Sequence, residues 1–296
     1  MGVASSSKPS DSHKWDQILN NFPDDILFEI LLRVPTRDLV KSCVYVCKQW
    51  HDTIASRSFW KEKCIQDRIF SQHCWDHLGN RDENYKRLYI KHPYERNLIK
   101  NPDASKEFSE WQVVYNGGNG WRMETEPIGS DPVSRFNDEC KGTVGCWVSS
   151  YGKCAKYQVV DLMAAGCSEY VLDHIRPAIH VSEWYAARFD CGAVYKMKVV
   201  LMSEKTEEFW SASPKDTNCR YSFKETLPPG RAWFQAKQTF TDYPTGIRYV
   251  GFYHEGKDTQ FWAGHFGAKM TLASVILDFS HVTGLADSCD GGSKQS

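Results

Sequence analysis

The stretch EWQVVYNGGNGWRMET, residues 110–125, marks the point where the chain changes its type of secondary structure. Two runs rich in aromatic and β-branched residues flank the glycine-rich segment 116–120, and this arrangement predicts a β-hairpin. Five further candidate strands follow, with turn residues between them: YQVVDLMA (157–164), AVYKMKVVLMS (193–203), RAWFQAKQTFT (231–241), GIRYVGFYHEG (246–256) and ASVILDFSHV (273–282). No helical pattern alternates with these runs, so residues 105–282 predict an antiparallel β-sandwich rather than a parallel βαβ fold.

Residues 16–63, upstream of the strands, have a helical period. The first predicted helix has one apolar face, formed by Ile26, Leu27, Ile30, Leu31 and Val34, and it ends before Pro35. A second helix is predicted to carry Leu39, Cys43, Val46, Cys47 and Trp50 on one side, and a third begins near Ser58. Three short helices bury little core by themselves, so either a partner protein or the rest of the chain covers their excess apolar surface.

The remaining segments connect or flank these two parts. Residues 64–104 predict a helical linker with a helix over 83–91, which ends before Pro93. Residues 1–15 and 283–296 are polar and rich in Ser or Gly, so they are expected to be a disordered N-terminus and tail. Gly2 is a candidate lipidation site because Met1, Gly2 and Ser6 match the N-myristoylation pattern. A single acyl chain would hold a membrane only marginally.

Composition excludes several classes of function. A net charge of −1 provides no overall attraction to nucleic acid, and no apolar run is long enough for stable membrane insertion. The start of the chain has no secretory signal, which predicts a cytoplasmic, reducing environment. The eleven cysteines include no C-x-x-C pair and are expected to be buried thiols. His73 and His77 lie four residues apart without further plausible ligands, so neither a metal nor a cofactor is expected.

The chain has no familiar catalytic motif, which leaves two interpretations of its polar and aromatic residues. The scattered carboxylates Asp161, Asp190 and Asp258 allow a hydrolase if two of them face each other roughly 5–10 Å apart across a cleft. The adjacent rings of Phe261 and Trp262 instead suit a carbohydrate, because a pyranose packs its C–H bonds on a flat ring while its hydroxyls bind polar groups. Alternatively, Trp262 fills the sandwich core and Phe261 covers its rim.

Residues 22–64, FPDDILFEILLRVPTRDLVKSCVYVCKQWHDTIASRSFWKEKC, closely resemble an F-box. The resemblance rests on the opening Phe-Pro (22–23), the Val-Pro break (34–35), Leu39, the run VCKQW (46–50) and the final Phe-Trp (59–60). It implies that a helical face binds the apolar groove of the Skp-type adaptor of a cullin–RING ubiquitin ligase. The docking residues that it implies are Phe22, Pro23, Ile26, Leu27, Ile30, Leu31, Val34 and Pro35.

A second resemblance covers residues 105–282. FSEWQVVYNGGNGW (108–121), QVVDLMAAG (158–166), RPAIHVSEWYAARFDCGAVYKMKVVLM (176–202) and FTDYPTGIRYVGFYHEGKDTQFWAGHFGAKMT (240–271) are similar to the sugar-recognising subfamily of F-box-associated domains. This resemblance implies a jelly-roll-like sandwich. Glycan-binding members select the inner chitobiose of high-mannose N-glycans and direct misfolded glycoproteins to ubiquitylation. The resemblance implies that the Trp262 ring stacks on the sugar and that Phe261 and Tyr151 form the walls of the binding site. It also implies that Asp190 accepts a hydrogen bond from the sugar.

This chain departs from the subfamily at two places. The best-known glycan binder has tyrosine and lysine beside its tryptophan, where this chain has Phe261 and Ala263, so two hydrogen-bond donors are missing. The run TLAS (271–274) replaces T-N-S-S. The sequence predicts a non-catalytic, cytoplasmic substrate receptor of an SCF-type ligase, acting near the cytosolic face of the endoplasmic reticulum. The alternative is a glycan-independent interaction or receptor-like protein on the same scaffold.

Overall fold

The computed structural model describes residues 22–79, 81, 83–137, 144–211 and 219–280, and the chain divides into two compact units, 1–91 and 92–296. The described part of the first unit is helical and the second is a two-sheet antiparallel sandwich, which confirms the predicted fold class. No helix among these residues is long and apolar enough to cross a membrane. Gly2 and the polar segments 1–15 and 283–296 lie outside the described residues.

The helical unit is built from short helices joined by tight turns. They are α1 (Asp24–Leu32), α2 (Thr36–Lys41), a 3₁₀ turn (Cys43–Tyr45), α3 (Lys48–Ala55), α4 (Arg57–Gln66), α5 (Gln72–Leu78) and α6 (Tyr85–Lys91). The prediction of one continuous second helix is wrong, because the backbone leaves the helical conformation at Ser42 and is extended at Cys47. The intervening CVYVC run is rich in β-branched and aromatic residues, which are weaker helix formers than alanine or leucine. The last helix begins at Tyr85, two residues later than predicted.

The described part of the sandwich contains ten strands in two sheets of five. The strands are β1 (Gln112–Asn116), β2 (Arg122–Glu124), β3 (Cys146–Val148), β4 (Cys154–Asp161), β5 (Ala178–Ala186), β6 (Ala193–Met202), β7 (Arg220–Leu227), β8 (Trp233–Phe240), β9 (Tyr249–Asp258) and β10 (Lys269–Asp278). One sheet has the order β1-β4-β9-β6-β7 and the other has the order β2-β3-β10-β5-β8. A short helix, α7 (Leu162–Ala165), follows β4. All strand pairs are antiparallel.

The predicted hairpin around segment 116–120 is wrong. Strand β1 pairs with β4 in one sheet, whereas β2 pairs with β3 in the other. The Asn116 side chain accepts the backbone N–H of Trp121 at 2.7 Å and so stabilises the crossing between the sheets. A glycine-rich loop of this length spans the distance of about 10 Å between packed sheets, so the same turn residues serve a crossover.

The antiparallel connections bring five loops to one end of the sandwich. These loops are 117–121, 149–153, 187–192, 228–232 and 259–268. The strand registers establish this arrangement, since Ala193 pairs with both Leu227 and Asp258, and Lys269 pairs with Ala186. We call this end the loop end. All four residues predicted to contact a glycan lie on it.

The segment 92–101 completes the sheets ahead of the first strand. The backbone N–H of Glu95 donates to the Leu277 carbonyl, and that of Leu98 donates to the Val275 carbonyl, each at 2.8 Å. These bonds lie along β10 beyond the short stretch that β3 covers. On the opposite sheet, the backbone N–H of Lys100 donates to the Gln158 side chain at 2.8 Å. The segment therefore ties both sheets together.

The interior of the sandwich contains an unusual polar cluster. Lys156 is fully buried, and among the described residues its Nζ has no hydrogen-bond partner. Burial holds the pKa of this lysine well below the usual value. Nearby, Nδ1 of His254 lies 2.5 Å from a Glu183 carboxylate oxygen, and the Tyr195 hydroxyl donates to the other oxygen at 2.6 Å. Burial lowers the pKa of His254 to about 4. The lysine Nζ lies 3.2, 3.9 and 5.3 Å from the ring centres of Trp147, Trp111 and Trp121.

The TLAS departure coincides with a bulge in β10. The register of β10 shifts between Thr271 and Ser274, and Leu272 has a φ of 53°. Asparagine adopts this left-handed conformation more readily than leucine does. However, Leu272 packs against a buried apolar cluster that includes Cys146 and Trp233. Compared with asparagine at this position, Leu272 therefore gains an apolar contact but adopts the left-handed backbone conformation less readily.

Candidate functional site

The 259–268 loop presents its two adjacent aromatic rings to solvent. Phe261 is 70% exposed and Trp262 is 44% exposed. The interpretation that Trp262 fills the sandwich core is wrong, because nearly half of this residue is exposed, in the loop beyond β9. Exposed large rings are unfavourable in water, so the contacts that hold this loop decide whether the rings form an ordered surface.

A buried carboxylate fixes the backbone of this aromatic pair. Asp258, the last residue of β9, is 1% exposed and accepts the backbone N–H groups of Gln260 at 3.1 Å, Phe261 at 2.7 Å and Trp262 at 3.1 Å. Phe261 has a φ of 57°, a left-handed conformation that costs roughly 1–3 kcal/mol for such a residue. Strain of this kind persists where the surrounding structure fixes it, and it concentrates at ligand sites.

The same loop is bonded to two others at the loop end. The backbone N–H of Gly264 donates to the Asn119 side chain at 2.7 Å, and the Gly264 carbonyl accepts from the Ser150 hydroxyl at 2.6 Å. The Asn119 N–H donates to the Ser150 hydroxyl oxygen at 2.9 Å. Tyr151 packs closely on Gly118, where a Cβ would lie 3.1 Å from the tyrosine ring. These bonds bring Tyr151 and Trp262 into one ordered assembly.

Asp190 joins this assembly through an arginine and a phenylalanine. The Arg188 guanidinium donates two hydrogen bonds to the Asp190 carboxylate, at 2.8 and 3.1 Å, and these bonds lower the pKa of Asp190. The guanidinium carbon of Arg188 lies 4.5 Å from the ring centre of Phe266, and that ring meets Trp262 edge to face at 5.6 Å. Asp190 is thus an ionised, partly exposed acceptor connected by contacts to the exposed tryptophan.

Sequence reasoning missed the residues that hold these groups in place. In the sequence Asp258 is only one of several scattered carboxylates, although aspartate often accepts backbone N–H groups a few residues further along the chain. That local signal predicts an ordered turn just before the aromatic pair. The other positioning residues, Asn119, Ser150, Arg188 and Phe266, act through contacts between distant loops.

The three carboxylates Asp161, Asp190 and Asp258 lack the surroundings that the catalytic pair of a glycoside hydrolase requires. Asp161 accepts the backbone N–H of Ala164 at 2.8 Å and caps α7, at the opposite end of β4 from the loop end. Asp258 is occupied by three backbone N–H groups, and Asp190 by Arg188. A general acid needs a raised pKa, whereas that of Asp190 is lowered. Within the described residues, no group of three or more His, Cys, Asp and Glu is placed to hold a metal ion.

The helical unit has a second candidate surface on α1. Ile26 and Ile30 are exposed and lie one turn apart, while Leu27 and Leu31 are buried in the core of the unit. A helix of 3.6 residues per turn places the two leucines on an adjacent face, so only the isoleucines of these four predicted docking residues reach solvent. We call the exposed side of α1 the isoleucine face.

Further predicted docking residues lie at the ends of α1. Pro23 and Pro35 are exposed, and Phe22 and Val34 are partly buried. Two residues outside the predicted docking set are also exposed: Tyr45 at the end of the 3₁₀ turn and Val46 directly after it. The described helical unit therefore exposes apolar side chains on both α1 and the turn that follows α2.

Two family models match the chain, and together they cover most of it. A model described as F-box-like matches residues 19–66, and one described as F-box associated region matches residues 89–277. The chain is 36% identical to F-box only protein 6 of Homo sapiens, over 88% of this chain and 84% of that protein. It is 35% identical to F-box only protein 44 of Mus musculus, over 88% of this chain and 96% of that protein.

A further relative and one solved structure complete the comparison. F-box only protein 2 of Bos taurus is 34% identical over 88% of this chain and 84% of that protein. The structure of TmCBM61 in complex with beta-1,4-galactotriose aligns with a TM-score of 0.38 and 12% identity, over 62% of this chain and 100% of that chain. The family models and the F-box only proteins agree with the observed order of a helical unit and a β-sandwich. The chain therefore belongs to the F-box-associated family of F-box proteins.

Proposed function

We propose that this chain is the substrate-recognition subunit of an SCF-type ubiquitin ligase and that its sandwich binds the chitobiose core of N-glycans on misfolded glycoproteins. Family membership supports the receptor role. The observation that carries the glycan part is the exposed Trp262 ring, which the buried Asp258 carboxylate holds in an ordered loop. An ionised acceptor, Asp190, is connected to that ring through Arg188 and Phe266.

The isoleucine face is the proposed contact for the Skp-type adaptor. Ile26 and Ile30 project into solvent from one side of α1, and Pro23 and Pro35 flank the helix. Apolar side chains exposed on one helix face suit insertion into an apolar groove of a partner. Leu27 and Leu31 support that face from within the unit rather than contact the adaptor directly.

The loop end offers the groups that an acetylated disaccharide needs. Trp262 provides a flat apolar surface for the C–H bonds of a pyranose, and Asp190 accepts a hydroxyl or amide N–H. Phe261 and Tyr151 are proposed to form the walls of the sugar-binding site. Because the loops are already cross-bonded, binding requires little further ordering, which favours affinity. The lost tyrosine hydroxyl and lysine ammonium would each have contributed about 1 kcal/mol, or about fivefold in affinity.

The proposed mechanism is proximity rather than catalysis by this chain. The helical unit holds the adaptor and the sandwich holds the glycoprotein, so the client's lysines are presented at a high effective concentration to the ubiquitin-transfer machinery. The transfer chemistry belongs to partner subunits. The proposed place of action is the cytoplasm, near the cytosolic face of the endoplasmic reticulum.

A glycan-independent receptor on the same scaffold is the second candidate. The observation that favours it is the replacement of two polar neighbours of the tryptophan by Phe261 and Ala263. This candidate predicts adaptor binding without sugar binding. The two candidates therefore share the isoleucine face and differ only at the loop end.

Calorimetric titration of the full chain with chitobiose tests the proposal. Saturable binding that disappears in Trp262→Ala, with an unchanged melting temperature, is the expected result. Tyr170→Ala, which removes an exposed ring at the opposite end of the sandwich, is the control and should bind as the unaltered chain does. No heat of binding at millimolar sugar would overturn the glycan part. Co-purification with a Skp-type adaptor separately tests the receptor part.

A further inference from the structure

Strand β7 lies at one edge of its sheet. In the described part of the chain it pairs with β6 alone, from Leu227 opposite Ala193 to Arg220 opposite Val200. Its other side therefore presents a row of backbone N–H and C=O groups that no strand of the described sandwich covers. Such a row is a template on which an extended polypeptide pairs as an additional strand. The side chains beside this row decide which polypeptide fits.

The side chains of β7 alternate between the two faces of the sheet. The outer face carries mainly polar groups and the inner face carries aromatic ones, in the order Arg220, Ser222, Lys224, Thr226 on the outer face and Tyr221, Phe223, Glu225, Leu227 on the inner face. A strand added to this edge alternates in the same way. One set of its side chains would meet Lys224, and the other would meet Phe223.

The outer face beside the edge carries an excess of positive charge. Lys224 is exposed and lies directly opposite Lys196 in the β6–β7 ladder, where like charges repel each other. The pKa of Lys198 on the same face is lowered by burial and further by the charges of Lys196 and Arg220. The row across the sheet from Lys224 through Lys196 to Glu255 holds two cations and one carboxylate. An acidic strand would relieve this repulsion, whereas a second copy of β7 would add to it.

The inner side of the edge exposes an aromatic ring between β7 and β8. Phe234 of β8 is 45% exposed, although it lies opposite the buried Tyr185 and shares its inward face. The ring centre of Tyr185 lies 5.7 Å from that of Phe223 and 6.1 Å from that of Phe234. Tyr185 thus connects one ring from each of the two edge strands. The opening between these strands is apolar, so apolar side chains of an added strand would cover it.

We infer that the β7 edge binds an extended segment of a partner protein in which acidic and apolar residues alternate. The backbone of this segment pairs with β7, its acidic side chains lie beside Lys224 and Arg220, and its apolar side chains cover Phe223 and Phe234. Main-chain pairing provides the affinity, and the alternation of side chains provides the specificity. The β7 edge includes none of the residues proposed to contact the glycan or the adaptor.

Titration of the full chain with a fluorescent peptide of alternating glutamate and valine residues tests the inference. Fluorescence polarisation should show saturable binding, and amide hydrogen exchange should show that residues 220–227 gain protection in the presence of the peptide. Two matched peptides serve as controls: one of alternating lysine and valine, and one with the glutamates and valines in two separate blocks. Both should bind about tenfold more weakly than the alternating acidic peptide.

Variants of the full chain separate the two faces of the edge. Lys224→Glu should weaken binding of the acidic peptide by about fivefold and strengthen that of the basic peptide, because it reverses one exposed charge beside the added strand. Phe234→Ala should weaken binding of the acidic peptide by about fivefold without favouring the basic one. Lys237→Glu makes the same charge reversal on the exposed side of β8, and this control should bind as the unaltered chain does. Melting temperatures check that each variant folds.

Four results would overturn the inference. They are no binding at millimolar acidic peptide, binding without protection of residues 220–227, equal binding of all three peptides, and unchanged binding by Lys224→Glu. Binding to phosphatidylserine vesicles but not to the peptide would assign the cations to a membrane surface instead. Dimerisation of the unaltered chain with protection of the same residues would assign the edge to a second copy. Chitobiose binding should be the same in Lys224→Glu and in the unaltered chain, so this inference and the proposed function fail independently.

Discussion

The buried carboxylate of Asp258 accepts the backbone N–H of Phe261 at 2.7 Å, although the ring of Phe261 is among the most exposed in the described chain. The residue that orders the aromatic pair is therefore hidden from any ligand. Its two oxygens also satisfy the N–H groups of Gln260 and Trp262, and together these bonds oppose the strain of the left-handed Phe261 backbone. The conformation of the exposed surface depends on one side chain beneath it.

Asp258→Asn should therefore affect both stability and binding. The amide keeps the size of the side chain but replaces one acceptor oxygen by a donor, and hydrogen bonds to charged groups contribute about 1.5–3 kcal/mol each. We expect the free energy of unfolding to fall by about 1–3 kcal/mol and chitobiose affinity to fall with it. Urea denaturation and calorimetry measure the two effects. Asp161→Asn, which makes the same change at a helix cap at the other end of β4, is the control; asparagine also caps helices, so stability and sugar binding should both stay intact.

The isoleucine face gives a direct test of adaptor binding, because its residues can be changed without opening the core of the helical unit. Ile26→Glu combined with Ile30→Glu should abolish co-purification with a Skp-type adaptor and change the free energy of unfolding by less than about 1 kcal/mol, because both residues are exposed. Leu31→Ala should instead lower that free energy by about 2–5 kcal/mol through a core cavity. Adaptor binding that survives the double substitution would refute the role of the isoleucine face.

Lys156→Met should stabilise the sandwich. The lysine Nζ is buried without a hydrogen-bond partner in the part of the chain that the structure describes, and such burial of a polar group costs about 1–3 kcal/mol in proteins. Methionine has a similar length and no polar group to desolvate, so the free energy of unfolding should rise by about that amount. Lys237→Met on the exposed side of β8 is the matched control, with an expected change below about 0.5 kcal/mol. A destabilised Lys156→Met would show that the lysine contacts with the tryptophan rings outweigh its desolvation.

His254 should make the sandwich less stable in acid. Burial lowers its pKa from 6.5 to about 4 in the folded protein, so the unfolded chain takes up a proton first as the pH falls. The contribution of neutral His254 to the free energy of unfolding is complete above about pH 6.5 and is lost as the pH falls through 4. The total loss is about 3 kcal/mol. Urea denaturation at several pH values measures this loss. His254→Gln should reduce the slope between pH 6.5 and 4, and an unchanged slope would exclude this histidine as its source.

The order of the two units and the class of the sandwich follow from patterns that are local in the sequence. Runs rich in aromatic and β-branched residues, such as 246–256, predict strands, and β9 (Tyr249–Asp258) overlaps that run. Partner choice is not local, however. The segment 116–120 has the residues of a hairpin turn, yet Gln112 pairs with Tyr157 and Arg122 pairs with Val148. No property of the turn itself distinguishes a return within one sheet from a crossing to the other.

The candidate site likewise combines residues that the sequence identifies with contacts that only the fold determines. The adjacent aromatics at 261–262 and the carboxylate at 190 stand out in the sequence, and the fold brings them to one end of the sandwich. Whether Trp262 faces the core or solvent depends on the backbone hydrogen bonds that Asp258 accepts and on the register of β9, which only the folded chain determines. Likewise, Ile26 and Leu27 are both apolar, and packing within the unit decides which of them is covered.

The segment 92–101 has a consequence for the solution behaviour of the sandwich. It covers the part of β10 that the three-residue β3 leaves unpaired, through bonds to Val275 and Leu277. A fragment that begins at residue 105 would expose that row of backbone groups, and an uncovered strand edge is a template for aggregation. A fragment that begins at His92 keeps the edge covered. The first fragment should self-associate during size-exclusion chromatography and the second should elute as a monomer.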